Sequence, residues 1–215
     1  MEQTIETRRE FLKQLSFAAM IPVIFGCKSA GSAQRSNDKI LDDLRANAIA
    51  DTGDEWWGAR NVPATVSSRT TLWADDDKGE RISITGTVYN PDGKTAAAGA
   101  LIYVYHTDIY GIYGRAGEHR HGRYRGWMLT DERGRYELQT ILPASYPNST
   151  IAKHIHTTVT TKDLKENWVD SMLFDGDRFL TDRDRTIRRG GFDPVLKLTR
   201  SGGVLRGVRD IRLWA

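Results

Sequence analysis

From Arg81 onward, apolar and polar residues alternate with a period of two. Ile82, Ile84, Gly86 and Val88 fall on one side of the pattern, and Arg81, Ser83, Thr85 and Thr87 on the other, which predicts a half-buried strand. Asn90-Pro91-Asp92-Gly93 then predicts a turn, because proline sets φ and glycine accepts positive φ. Similar runs predict strands over 100–106, 123–129, 135–141, 154–161 and 171–174. Lys162 to Trp168 reads as a helical turn, and Asp177 to Phe192 as a charged loop. Pro194 to Thr199 and Val204 to Leu213 read as a closing hairpin around Ser201-Gly202-Gly203. Helical spacing occurs over Asp38 to Ala50, where Ile40, Leu41 and Leu44 share a side and Asp38 can cap the first turn. An irregular stretch with Trp56, Trp57, Pro63 and Trp73 is expected to pack across the domain. Short strands, frequent turns and almost no helical periodicity after residue 80 predict an all-β fold, an antiparallel β-sandwich with one short N-terminal helix.

Length and composition narrow the function classes. A chain of 215 residues with 39% hydrophobic and 27% charged residues has enough apolar sequence for one core, with extensions. The net charge is only +3, and the basic run Arg178, Arg183, Arg185, Arg188 and Arg189 is interrupted by Asp182 and Asp184. That pattern reads as a solvated face, not a nucleic-acid groove. Cys27 is the only cysteine, which excludes an intramolecular disulfide and a cysteine-based metal site or thiol nucleophile in the folded domain.

Thr7-Arg8-Arg9-Glu10-Phe11-Leu12-Lys13 resembles a twin-arginine export signal. The apolar run Leu15 to Phe25 is too short to span a bilayer as a helix and suits a signal core. Ile24-Phe25-Gly26-Cys27 resembles a lipobox, although Phe25 departs from the small or β-branched residue usual there. The division expected is a signal over 1–27, a tether and short helix over 28–60, and the β-sandwich domain over 61–215. The resemblance implies export to the periplasm or cell envelope, with a lipid anchor at Cys27.

Chemistry concentrates in Tyr146 to His156. His154-Ile155-His156 sits in a run favouring a strand, so both imidazoles project from one face and Ile155 from the other. Two imidazoles on one face are half of a metal site, and Tyr146, in a turn-rich segment after Pro143, can bring a phenol toward that face.

Several segments must be taken together: Ile84-Thr-Gly-Thr-Val-Tyr-Asn-Pro-Asp-Gly93, Gly111-Ile-Tyr113, Thr130-Asp-Glu-Arg-Gly-Arg-Tyr136, Thr140-Ile-Leu-Pro143 and His154-Ile-His156. In this order and spacing they resemble the intradiol ring-cleavage dioxygenases, over roughly residues 60–213. The family includes catechol 1,2- and protocatechuate 3,4-dioxygenases. The resemblance implies one non-haem Fe(III) held by Tyr113, Tyr146, His154 and His156, with a catechol and O2 as substrates. Tyr146 would be displaced by the catecholate and take a substrate proton, and the product would be a muconate-type diacid. The donor set suits the ion independently, since phenolate oxygen is a hard anionic donor for a hard Lewis acid. A competing reading keeps the sandwich as a non-catalytic surface module that binds catecholate-like ligands or a protein partner.

Two departures bear on turnover. Ring-cleaving relatives carry an arginine three residues before the first histidine, where this chain has Ile151, and a glutamine about fourteen residues after the second, where it has Asp170-Ser171. Arg115, Arg120, Arg123 and Lys153 are the candidate replacements. An apolar Ile151 and an inward-pointing Asp170 predict a preference for neutral catechols over carboxylated ones. His119 and His121 read as loop residues and not as a second ligand pair.

Overall fold

The computed structural model describes residues 30–48, 57–114 and 118–214. The segment expected to be a signal, with Arg8, Arg9 and Cys27, lies outside the described residues, as do Trp56 and Arg115. The chain divides into two compact units, Met1–Gln34 and Arg35–Ala215.

Two sheets form the second unit. Strands β1 (Arg69–Thr71), β2 (Arg81–Tyr89), β5 (Arg135–Ile141), β9 (Thr199–Ser201), β10 (Val204–Val208) and β11 (Ile211–Arg212) make one. Strands β3 (Leu101–Tyr105), β4 (Arg125–Leu129), β6 (His154–Thr160), β7 (Asn167–Phe174) and β8 (Val195–Leu196) make the other, in the order β4-β3-β6-β7-β8. The all-β sandwich expected from the alternation is present. Its central pairings, β2 with β5 and β3 with β4 and β6, are antiparallel. Parallel pairings appear toward the margins, β1 with β5, β10 and β11 with β2, and β8 with β7.

Period-two alternation builds the core. Ile82, Ile84 and Val88 of β2 meet Ile102 and Val104 of β3, Leu138 of β5, Ile155 and Val159 of β6 and Met172 of β7 in one buried cluster. Burying a branched aliphatic side chain contributes about 1.5–3 kcal/mol, so this cluster dominates the stability of the sandwich. Met128 of β4 joins that cluster, while Leu101, Trp127 and Leu129 face away from it. Leu101 and the half-buried Trp127 and Leu129 pack with Leu41, Leu44, Ala59 and Val62 in a second cluster. Glu166 secures this cover: its buried carboxylate accepts the N–H groups of Gly58 and Ala59, at 2.7 and 3.1 Å, and the Thr158 hydroxyl at 2.8 Å.

Four details differ from the sequence reading. Helix α1 runs Ala30–Ala46, so it begins inside the stretch expected as a tether and stops short of Ala50. The Lys162 to Trp168 turn is not helical, and β7 already begins at Asn167, because Trp168 and Val169 pair with Thr158 and Thr157 of β6. The segment expected as one strand over 194–199 splits between the sheets as β8 and β9. Finally, β1 consists of Arg-Thr-Thr, a polar triplet with no apolar rhythm, and exists through its pairing with β5.

Candidate metal centre

His154 and His156 project from the outer face of β6, while Ile155 between them is fully buried in the core. The β6–β7 register shifts between Ile155 and Thr157, where Asp170 and Ser171 of β7 together stand opposite His156, as in a β-bulge of β7. Bulges re-aim side chains and recur beside functional sites. Two loops bring the phenols to the same face. In the first, residues 107–113, the Asp108 carboxylate accepts the N–H groups of Tyr110 (2.8 Å) and Ile112 (3.0 Å), and the Thr107 hydroxyl donates to the Ala144 carbonyl at 2.7 Å. Gly111 (φ 79°) lets the loops close, since a Cβ there would lie 2.2 Å from the Ser145 carbonyl oxygen. Gly122 (φ 65°) does the same behind Tyr113, whose carbonyl oxygen would stand 1.6 Å from an added Cβ.

The four predicted donors converge. The Tyr113 and Tyr146 hydroxyls are hydrogen-bonded to each other. The Tyr146 hydroxyl lies 3.1 Å from His154 Nε2 and 3.2 Å from His156 Nε2, and the two Nε2 atoms are 3.0 Å apart. Two donors each about 2.0–2.1 Å from a shared cation, at angles near 90–110°, stand about 2.9–3.4 Å apart. The spacing of Tyr146 and the two histidines therefore suits a single transition-metal ion. His154 Nδ1 lies 2.7 Å from the Ala152 carbonyl oxygen and donates its N–H there, which turns the Nε2 lone pair inward. No group of three or more His, Cys, Asp or Glu side chains capable of holding a metal occurs among the described residues, so any metal chemistry here depends on the phenols.

Burial sets the protonation of the free site. It pushes the His156 imidazole down to about 3, helped by neighbouring His154, His121 and His106. It lowers His154 as well, against the hydrogen bond to Ala152. The rings are therefore neutral, with lone pairs available at neutral pH. Burial raises Tyr113, reinforced by the hydrogen bond to Tyr146, and also raises Tyr146, on which the same hydrogen bond acts in the opposite sense. Both phenols keep their protons until a cation inverts the local electrostatics.

Aromatic packing holds this arrangement. The His156 ring lies between Tyr105, stacked at 4.7 Å, and Trp168, edge-on at 5.7 Å. His121 is buried behind Tyr105, stacked on it at 3.7 Å, with Nδ1 2.6 Å from the Tyr103 hydroxyl. Thus His121 belongs to the supporting layer and not to the four donors. Its role is invisible in a Gly- and Arg-rich loop sequence, because only the β3 register brings Tyr103 and Tyr105 beneath it.

A pocket of about 230 Å³ opens beside the donors, with His154 and His156 on its wall. Ile151, Asp170 and Ser171 line it, so the positions singled out in the sequence do face the site. The Asp170 carboxylate lines the pocket and is also structural. It accepts the N–H groups of Arg188 and Arg189, both at 2.8 Å, and holds the 186–190 loop in place. Of the candidate cations, Arg123 and Lys153 do not line this pocket. Arg123 pairs with Asp77 at 2.7 Å, and Lys153 stands 3.8 Å from Asp177 on the wall of a larger groove that also includes Tyr146. The guanidinium groups that line the pocket are Arg183 and Arg188, members of the run that reads in sequence as a solvated face.

Comparison with known proteins bears on the family and the fold. The profile of the family described as "Dioxygenase" matches residues 58–189, more than half of the chain. Catechol 1,2-dioxygenase of Acinetobacter baylyi is 34% identical over 74 residues, which cover 33% of this chain and 24% of that protein. The chain thus aligns with about a quarter of the length of that curated relative. Among solved structures, the dioxygenase domain of a dioxygenase–carbohydrate-binding fusion from Streptomyces sp. SirexAA-E superposes with a TM-score of 0.57 at 22% identity, covering 70% of this chain and 90% of that one. Chlorocatechol 1,2-dioxygenase from Pseudomonas putida gives a TM-score of 0.56 at 21% identity, covering 72% and 67%. The sandwich, its motifs and the profile match establish that the chain belongs to the intradiol ring-cleavage dioxygenase family.

Proposed function

We propose that the protein is a non-haem Fe(III) dioxygenase that opens a catechol ring between its two hydroxyls, yielding a muconate-type diacid. The observation that carries this reading is the convergence of Tyr113, Tyr146, His154 and His156, with both imidazoles neutral and oriented toward the phenol oxygens. Tyr113, Tyr146, His154 and His156 would hold the iron. Bound there, Fe(III) supplies Lewis acidity that activates a catecholate toward O2.

The chain's own groups prepare that chemistry. Ala152 fixes His154 through its carbonyl, and Tyr105 with Trp168 fixes the His156 ring. Tyr146, on a loop next to the pocket, is the base: as a phenolate it takes a proton from the catechol hydroxyl that enters. Tyr105, Tyr103, His121 and Trp168 exclude water from the rear of the site. The pocket is below the roughly 300–1,000 Å³ typical of drug-sized ligands, which suits a single-ring substrate. Residues 1–27 carry a second proposal, export with lipid attachment at Cys27.

The test is spectroscopic. Iron-loaded protein is expected to show a visible tyrosinate charge-transfer band that a catechol shifts anaerobically and that bleaches on admission of air. Protein that takes up no iron from iron-replete medium or by reconstitution contradicts the proposal.

A further inference from the structure

Position 151 brings no positive charge to the pocket. Ile151 is 53% exposed and apolar. The pocket nevertheless has charge in its lining, from β7 and from the loop that runs through the 3-10 turn Asp182–Arg185 to Arg189. Four ionic side chains, Asp170, Asp184, Arg183 and Arg188, line it there.

The two carboxylates are engaged in building the loop. Asp170 accepts two backbone N–H groups, those of Arg188 and Arg189. Asp184 accepts the Thr181 N–H at 2.9 Å and the Thr181 hydroxyl at 2.8 Å, completing a capping box, and these bonds hold its carboxyl below the usual range. Two other arginines of the loop are also engaged. Arg185 pairs with Asp175 at 2.9 Å, and Arg189 bonds Asn167 and stacks 5.0 Å over Trp214. Arg183 and Arg188 differ. Among the described residues neither forms an ion pair; the charges of both help to hold the Asp184 carboxyl down, and both line the pocket that contains the two histidines.

A guanidinium presents a planar fork of N–H donors that matches a carboxylate in a bidentate manner. Resting on the functional reading above, we infer that Arg183 and Arg188 determine specificity by binding an anionic substituent, of the carboxylate class, on the ring of a single-ring catechol. The loop then supplies two guanidinium groups to a pocket whose position 151 carries none. This reverses the preference for neutral catechols expected from Ile151 and Asp170 alone.

The test compares 3,4-dihydroxybenzoate with its neutral isostere 3,4-dihydroxybenzamide, by anaerobic calorimetric titration of the iron-loaded full chain and of the metal-free protein. Hydrogen bonds to charged groups at a partly solvated site predict a roughly tenfold tighter Kd for the carboxylate. The double variant Arg183→Gln/Arg188→Gln should reduce that preference to below about twofold. Arg185→Gln, which removes one positive charge from the same loop, should retain it. Equal affinities in the wild type, a preference that survives the double variant, or an equal loss in Arg185→Gln each overturns the assignment, the last by pointing to the general field of the loop. Both arginines are exposed, and a circular-dichroism melt within about 2 °C of wild type confirms that each variant folds. Oxygen uptake is read separately: preference without any uptake overturns ring cleavage and supports the arginine assignment.

Discussion

Tyr113 and His156 separate donor loss from packing loss. Tyr113→Phe removes one oxygen and keeps a ring centred 5.6 Å from Tyr105. It should lower iron per chain and weaken the visible band, while costing the metal-free fold only the one hydrogen bond to Tyr146, about 0.5–1.5 kcal/mol. His156→Ala removes both the donor and the ring between Tyr105 and Trp168, so its metal-free melting temperature should fall further. Metal analysis, absorption spectra and thermal melts of both variants decide the matter. A Tyr113→Phe protein with full iron and an unchanged band would remove Tyr113 from the donor set. Protonation adds a second expectation at this scale. Burial raises both phenols, so iron uptake must displace their protons. The protonated phenol competes with the metal, and apparent iron affinity should therefore weaken as pH falls from about 8 to about 6. Chelator competition across that window measures it, and a flat profile would mean that no phenol proton is released.

At the scale of elements, legibility follows how much of a segment's structure is local. His-x-His on a strand needs only the period of two, and Ile155 in the core with both imidazoles outside satisfies it. The beginning of β7 is hidden because Asn167 to Asp170 mixes polar and apolar residues, and its strand state comes from pairing with β6. The arginine wall is hidden for a related reason. A charge run has no periodicity, and nothing local shows that Asp170, on strand β7, captures the N–H groups of Arg188 and Arg189 in the loop. Gly122 offers a test of how loops position donors. With φ at 65° and the Tyr113 carbonyl oxygen 1.6 Å from where a methyl carbon would stand, Gly122→Ala must displace Tyr113 or the 119–122 turn. The left-handed conformation alone costs about 1–2 kcal/mol for an L-residue. Iron content should drop although all four donors remain, while Gly202→Ala, where nothing lies within 4 Å of the added carbon, should leave it unchanged. Equal iron content in the two variants would show that Tyr113 is held by other contacts.

At the scale of the molecule, the donors come from the 107–113 loop, the turn at Tyr146 and strand β6, so iron would join segments that are far apart in the chain. Export by the twin-arginine route, which carries folded proteins, suits a protein that takes up its metal before crossing the membrane. No described helix is long and apolar enough to cross a bilayer, and the proposed attachment is the lipid at Cys27. A single acyl chain holds a protein only marginally, whereas two chains or more anchor it stably. Arg8→Lys/Arg9→Lys should therefore leave full-length, iron-loaded protein in the cytoplasm. Cys27→Ala should release the protein from the membrane fraction without loss of the visible band, since the sandwich and its donors lie at 57–214. Fractionation followed by mass measurement of the mature N-terminus reads both results. A Cys27→Ala protein that stays with the membrane after processing would assign attachment to another surface of the protein, and normal export of the double-lysine variant would remove the twin-arginine route.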